Sequence, residues 1–413
     1  MVRAMTAAAL DDAPAAGRNR ALAFLSASVV LSMTTWFSAS AVVPQLRDDW
    51  GLGATAAAWL TIAVQLGFVL GATLSSILNL ADVVSPSAVL LAGAAGAAAA
   101  NLALAAADGP EAAIPLRFAT GFFLAGVYPP ALKLMATWFR RGRGTALGIV
   151  VGALTLGTAL PHLVNGLGGL DWRTVVYATS ALTLAGGLLA FATVPEGPFR
   201  FARASFDPRQ AGLVFANRGV RLASLGYFGH MWELYAMWAW FLVFTTDALE
   251  ARGEEVGARA AYATFAVIAA GGLGCWVGGI AGDRFGRTKT TAVFMAVSGA
   301  CALGIGFTFD GPIWLLVGIG LVWGFTVVGD SAQFSTMVTE LADQTYVATA
   351  LALQLALGFT LTVATIWLIP YLVDGVGWRY AFAFLAPGPI LGVWAMLRLR
   401  ASPEAAQIAH GKG

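Results

Sequence analysis

The sequence is divided into apolar runs, each about long enough to cross a bilayer, and this repetition restricts the fold more than any other feature. An α-helix needs roughly 20 residues to traverse the hydrocarbon core. Twelve such runs can be marked, at approximately 21–44, 57–78, 87–106, 112–137, 144–168, 173–194, 221–246, 260–281, 290–309, 312–335, 346–371 and 379–398; they are numbered spans 1 to 12. Of the 413 residues, 58% are hydrophobic and 11% charged, where a soluble domain carries about 25% charged residues. Too little polar surface is encoded for a water-soluble body, so the expected solvent for most of the chain is lipid. A net charge of +2 gives no ground for a nucleic-acid partner. Cys275 and Cys301 lie singly inside apolar runs, without the spacing of a metal site or a disulfide pair. The first 20 residues form a polar tail without the short apolar core and cleavage site of a signal peptide. Arginine far outnumbers lysine among many Ala and Gly, a composition expected of a GC-rich bacterial source.

Connections between the spans are short, with one exception. The segment PEGPFRFARASFDPRQAGLVFANRGV separates spans 6 and 7 near the midpoint of the chain. The expected organisation is a tail at 1–20, a six-span bundle at 21–196, a linker at 197–220, a second bundle at 221–400 and a tail at 401–413. Basic residues concentrate in the tails and in every second loop, leaving Arg47, Arg173, Arg252, Arg259 and Arg379 on the other side. By the positive-inside rule both termini are cytoplasmic, in a multi-pass protein of the cell (inner) membrane. The halves also echo each other. Asp-Trp-Arg at 171–173 opens span 6, and Gly-Trp-Arg at 377–379 opens span 12. GTALGI at 144–149 is matched by ATALAL at 348–353, and TTWF at 34–37 by WAWF at 238–241. Offsets close to half the chain length indicate an internal duplication.

The segment GGIAGDRFGRTKT, 278–290, falls in the loop between spans 8 and 9. Gly279, Asp283, Arg284, Gly286 and Arg287 match the G-x-x-x-D-R-x-G-R loop signature of the major facilitator superfamily, which the chain resembles over essentially its whole length. Span 4 with its exit loop (RFATGFFLAGVYPPALKLMATWFRRGRGTALG, 117–148) and the Trp-Arg starts of spans 6 and 12 are similar to the superfamily too. The resemblance implies an all-α membrane protein of twelve transmembrane helices, in two pseudo-symmetric six-helix bundles around a central cavity. It also implies a gating role for the loop. Asp283 can face the positive N-terminal end of span 5 around Gly144, while the neighbouring arginines take acidic partners. Such contacts would hold the cytoplasmic face shut and the carrier outward-open; the alternative is that the arginines only enforce topology. The homologous loop after span 2, NLADVVSP, keeps Asp82 but no basic residue, so a first-half latch is not expected to be complete.

An ionisable side chain at the bilayer centre costs at least ~2.5–3.5 kcal/mol on insertion scales and asks for a function or a partner. Arg117 and Lys133 lie in span 4, His162 in span 5, His230 and Glu233 in span 7, and Asp330 in span 10. The resemblance implies that spans 1, 4, 7 and 10 line the cavity, which places Arg117, His230, Glu233 and Asp330 there. Glu233 stands one turn from His230 and can take up and release a proton during a transport cycle. Its plainer role is a fixed hydrogen bond to His230 or to a polar group opposite. Asp330 is either a second protonation site or part of an inter-helix network. Arg117 can hold an anionic solute or pair with Glu233, or else snorkel to the interface. Lys133 is expected to snorkel, and His162 to satisfy backbone groups freed by Pro161. His-x-x-Glu is half a metal site, but no further ligands accompany it, so no metal or other cofactor is expected. Of the aromatic residues, Trp36 and Tyr235 are the expected cavity pair.

These features lead to the expectation of a non-enzymatic secondary transporter, monomeric, moving a small organic solute by alternating access with protons as coupling ion. The solute expected is a carboxylate or other organic anion, with Arg117 as its contact. One alternative is proton-driven efflux of amphipathic or cationic compounds. Another is a non-transporting sensor or assembly subunit on the same scaffold. The Gly-Pro pair of superfamily drug antiporters is broken here into Gly157 and Pro161. Nitrate-porter and oxalate-exchanger patterns would require basic residues where Gln65 and Gln354 stand.

Overall fold

The computed structural model describes residues 16–139, 142–167, 171–199, 208–343 and 346–413, and among these the regular structure is helical, with no strand. The first half comprises α1 (Arg18–Ser32), α2 (Val43–Trp50), α3 (Ala54–Ile77), α4 (Pro86–Leu104), α5 (Pro110–Leu124), α6 (Tyr128–Ala136), α7 (Arg143–Gly166) and α8 (Trp172–Thr193). The second comprises α9 (Arg218–Ala251), α10 (Gly257–Phe285), α11 (Arg287–Gly304), α12 (Ile313–Gly329), α13 (Ser331–Leu341), α14 (Val347–Val376) and α15 (Pro387–Arg400). Among the described residues, nine helical stretches are long and apolar enough to cross a membrane. They correspond to the expected spans other than 1, 4 and 7.

Those three depart from a plain apolar helix for identifiable reasons. Span 1 is interrupted: α1 stops at Ser32, residues 33–39 form turns, and a 3-10 turn at Ser40–Val42 leads into α2. Span 4 breaks between α5 and α6, where Pro129 and Pro130 lack the N–H groups that the carbonyls of Ala125 and Gly126 would need. Span 7 is one unbroken helix of 34 residues, longer than its expected 221–246, and it carries His230, Glu233 and a dense set of Trp and Tyr. Span 10 also bends, at Asp330 between α12 and α13.

Helix packing repeats between the halves. In the first, α3 packs on α5, α4 on α5 and α8, and α1 on α7 and α8. In the second, α10 packs on α12, α11 on α12 and α15, and α9 on α14 and α15, in the same order. The duplicated Trp-Arg segments have a matching physical reason. Trp172 Nε1 donates to Asp49 Oδ2 at 2.8 Å, and Trp378 Nε1 donates to Asp247 Oδ2 at 2.7 Å. Each indole thereby ties the start of the last span of its half to the end of the first. Between the halves, α7 lies along α10 and α3 along α14. The α7–α10 contact is backbone-close: a Cβ on Gly148 would stand 2.8 Å from the Cys275 carbonyl oxygen, and one on Gly152 2.8 Å from that of Gly272. Small residues there let two helices approach without a side-chain layer between them.

Candidate functional site

A cavity lies between the halves, lined by α6 and α7 on one side and by α9, α12, α13 and α14 on the other. The long helix α9 supplies Tyr227, Met231, Tyr235 and Trp238 to it. Their spacing of four, four and three residues places them on one helical stripe. Trp36 stacks against Tyr235 (ring centroids 5.8 Å apart, planes 30° apart) and also meets Phe68 and Phe359. This joins aromatics from α3, α9, α14 and the interrupted span 1 into a cluster at the edge of the cavity. Of the expected pair, Tyr235 lines the cavity and Trp36 packs behind it.

The charged groups of the membrane interior are distributed differently from the expectation. Glu233 occupies the flank of α9 turned away from the cavity stripe. Its Oε1 accepts from Trp323 Nε1 at 2.7 Å and its Oε2 from Ser298 Oγ at 2.9 Å. His230 does not bond to it. Instead His230 Nδ1 stands 2.9 Å from Asp330 Oδ1, with both side chains almost fully buried. Asp330 stands at the junction of α12 and α13 with its carboxylate toward His230 of α9, and Tyr227 and Phe334 border the imidazole ring.

Arg117 forms no pair with Glu233 and does not line the cavity, contrary to both readings that made it functional. It is fully buried in the first half, where Nε donates to the Leu60 carbonyl at 3.2 Å and Nη1 to the Thr35 carbonyl at 2.8 Å. Nη1 also reaches Ser38 Oγ at 3.1 Å and Asn101 Oδ1 at 3.3 Å, and Nη2 donates to the Trp36 carbonyl. The reason is the interruption of span 1: turns at 33–39 leave carbonyls without helical donors, and the planar guanidinium fork collects them. His162 is buried with no hydrogen-bond partner for either ring nitrogen among the described residues, so it does not satisfy backbone groups near Pro161.

At the end bearing the loop between α10 and α11, Asp283 meets the N-terminus of α7. Thr145 Oγ1 donates to its Oδ2 at 3.0 Å, and a Cβ on Gly144 would come within 2.6 Å of its Oδ1. Gly279 lies against Gly144 and Thr145. Arg287 reaches Glu340 through both Nε and Nη2 (3.0 Å each) and Gln333 Oε1 at 2.9 Å, and stands 3.2 Å from Asp283. Arg284 has no acidic partner among the described residues and lies over the Phe285 ring. Gly286 adopts φ 98°, in the left-handed region that favours glycine. The side chain of Asp82 lies outside the described residues. Residues 401–413, expected as a tail, fold back onto this loop. Lys412 Nζ donates to the Asp283 carbonyl at 2.8 Å, the Ala409 amide donates to Glu340 Oε2 at 3.2 Å, and Ile408 is buried.

Glu340, Gln333, Ser298 and Trp323 were not anticipated. Glu340 had a usable signal, being the one acid in an otherwise uncharged helix that follows Asp330. Ser298 and Trp323 had none, because a serine and a tryptophan in apolar runs are unremarkable.

The family model described as Major Facilitator Superfamily matches residues 25–355. The chain belongs to the major facilitator superfamily. Solved superfamily transporters share its fold. A bacterial homologue of the human lysosomal transporter Spinster, crystallised inward-facing and unoccupied, is 15% identical with a TM-score of 0.65, over 95% of this chain and 97% of that one. The human organic anion transporter MFSD10 (TETRAN) is 14% identical with a TM-score of 0.65, over 92% and 99% of the two chains. Comparison with curated protein sequences finds no match. This superfamily member is therefore a multi-pass membrane protein of a transporter family, and its fold is that of transporters rather than of enzymes.

Proposed function

We propose that the protein is a proton-coupled secondary active carrier for a small organic solute. In this reading, bundles 21–196 and 221–400, six spans each, rock about the central cavity in the inner membrane with both termini cytoplasmic. The observation that carries it is the cavity drawn from both halves, with the buried His230–Asp330 pair beside it on α9 and at the α12–α13 bend. A carboxyl and an imidazole in contact within a low-dielectric interior can exchange a proton as the surroundings open and close. Glu233 is a second carboxyl, on the same helix as His230, and its donors Trp323 and Ser298 favour its charged form. The loop residues Gly279, Asp283, Arg284, Gly286 and Arg287 would serve as the gate, with Glu340 as an added member.

The test is counterflow in proteoliposomes across radiolabelled organic acids, amines, uncharged aromatics and amphipathic drugs, followed by an imposed pH gradient. Asp330→Asn and Glu233→Gln should each abolish gradient-driven accumulation while leaving exchange measurable. Normal accumulation in both variants would remove these carboxyls from the coupling role. A second reading, transport of organic anions, is favoured by the likeness to the human organic anion transporter. It lacks a cation at the cavity, since Arg117 is occupied by backbone carbonyls.

A further inference from the structure

We propose that the solute taken by the central cavity is uncharged when bound: a ring or branched apolar body carrying several hydroxyl or carbonyl groups. This deepens the carrier reading and rests on it. Six polar side chains line the cavity, namely Tyr128, Tyr227, Tyr235, Trp238, Ser331 and Ser335. Every other lining residue is aliphatic apart from Met231 and Phe359, and no Asp, Glu, Lys, Arg or His is among them.

None of these hydroxyls, nor the Trp238 indole N–H, is hydrogen-bonded to a described residue. Ser28, Thr34, Ser38 and Thr183 by contrast bond to groups on other spans and so join helices. The cavity hydroxyls serve no such purpose. The phenols and serines each offer one donor and acceptor lone pairs, and the indole offers one donor. Together they match a solute with both donors and acceptors spread around an apolar frame.

The ionisable groups nearby face one another or other side chains rather than the cavity. His230 Nδ1 stands 2.9 Å from Asp330 Oδ1, Glu233 accepts from Trp323 and Ser298, and Arg117 is held by three backbone carbonyls. An anionic or cationic solute closed into this cavity would face no counter-charge, and an unpaired buried charge is far more costly than a hydrogen-bonded hydroxyl.

The experiment is counterflow with matched triples that share a body and differ in head-group charge. The first triple is 4-hydroxybenzyl alcohol, 4-hydroxybenzoate and 4-hydroxybenzylamine at pH 7.5. The uncharged member should half-saturate at the lowest concentration. Tyr128→Phe and Ser335→Ala, each deleting one hydroxyl, should raise that concentration roughly 2- to 10-fold, and the double variant more. Half-saturation by an anion or cation at or below the concentration of its uncharged counterpart overturns the proposal, as does an unchanged value in the double variant. Exchange of charged solutes alone would sink this inference and leave the carrier reading standing. Exchange of no solute in any triple or in the wider panel would bring down both.

Discussion

Arg117 carries five N–H donors into a region where a single unpaired charge is prohibitive, and its partners are carbonyls, a hydroxyl and a side-chain amide rather than a carboxylate. Its role follows from the turns at 33–39, so its loss should be felt as instability first. Arg117→Ala should leave the Trp36 carbonyl without its donor and strip one donor each from the carbonyls of Thr35, which keeps Ser38 Oγ, and Leu60, which keeps its helical bond, at about 1–3 kcal/mol for a buried group left unpaired. The expected result is a large fall in the detergent melting temperature, with Arg117→Lys only partly restoring it because an ammonium cannot reproduce the fork. An unchanged melting temperature for Arg117→Ala would contradict the bracing role. That a residue was needed at 117 was legible in the sequence, since a buried arginine demands partners. Which partners was not, because the free carbonyls belong to a helix interruption that no Pro or Gly marks within 33–39. His230, Glu233 and Asp330 were legible in the same limited way. Their identities stood out against apolar runs, but the partner of His230, Asp330, stands on another span.

The helices show a clearer correspondence between sequence and structure. Nine of the expected spans appear as long apolar helices, because length and hydropathy alone specify a membrane helix. Gly148 and Gly152 mark a backbone-close approach of the two halves. Gly148→Leu should push α7 off α10 and destabilise the protein by about 1–3 kcal/mol or more, measurable as reduced yield of folded protein and a lower melting temperature; full stability would mean that this contact yields easily. The folded-back tail could not be foreseen, since 401–413 is short and its partners lie 69 and 129 residues away. Deleting residues 403–413 removes the Lys412 hydrogen bond to the Asp283 carbonyl beside the loop between α10 and α11, and the Ala409 hydrogen bond to Glu340, which holds Arg287 at the start of α11. Amide hydrogen exchange at 283–288 should then accelerate, which mass spectrometry can read; unchanged exchange would show that the loop holds its shape without the tail.

For the molecule as a whole, the contact of Asp283 with Thr145 joins one half to the other at the end that bears the tail. In the carrier proposed, rocking of the halves would require it to part. A Thr145→Cys/Asp283→Cys pair, oxidised in liposomes, should cut counterflow to background, and reductant should restore it; free exchange by the oxidised, cross-linked protein would show that this end need not open. The duplicated architecture was legible at this scale from three short echoes, and the paired indole–carboxylate ties of Trp172 and Trp378 give one of those echoes its cause. Spans 1, 4 and 7 are the exceptions to plain apolar helices, by interruption, by a proline pair with Arg117, or by His230 and Glu233. Each contains groups whose partners lie on other spans. During synthesis such a segment reaches the insertion machinery before or without those partners, and alone it is poorly favoured in lipid. In an insertion assay on isolated segments, 112–137 should therefore enter the bilayer less efficiently than 57–78 or 346–371, and the shortfall should shrink when span 1 precedes it. These interruptions thus oblige the nascent chain to assemble its first half as a group rather than one helix at a time.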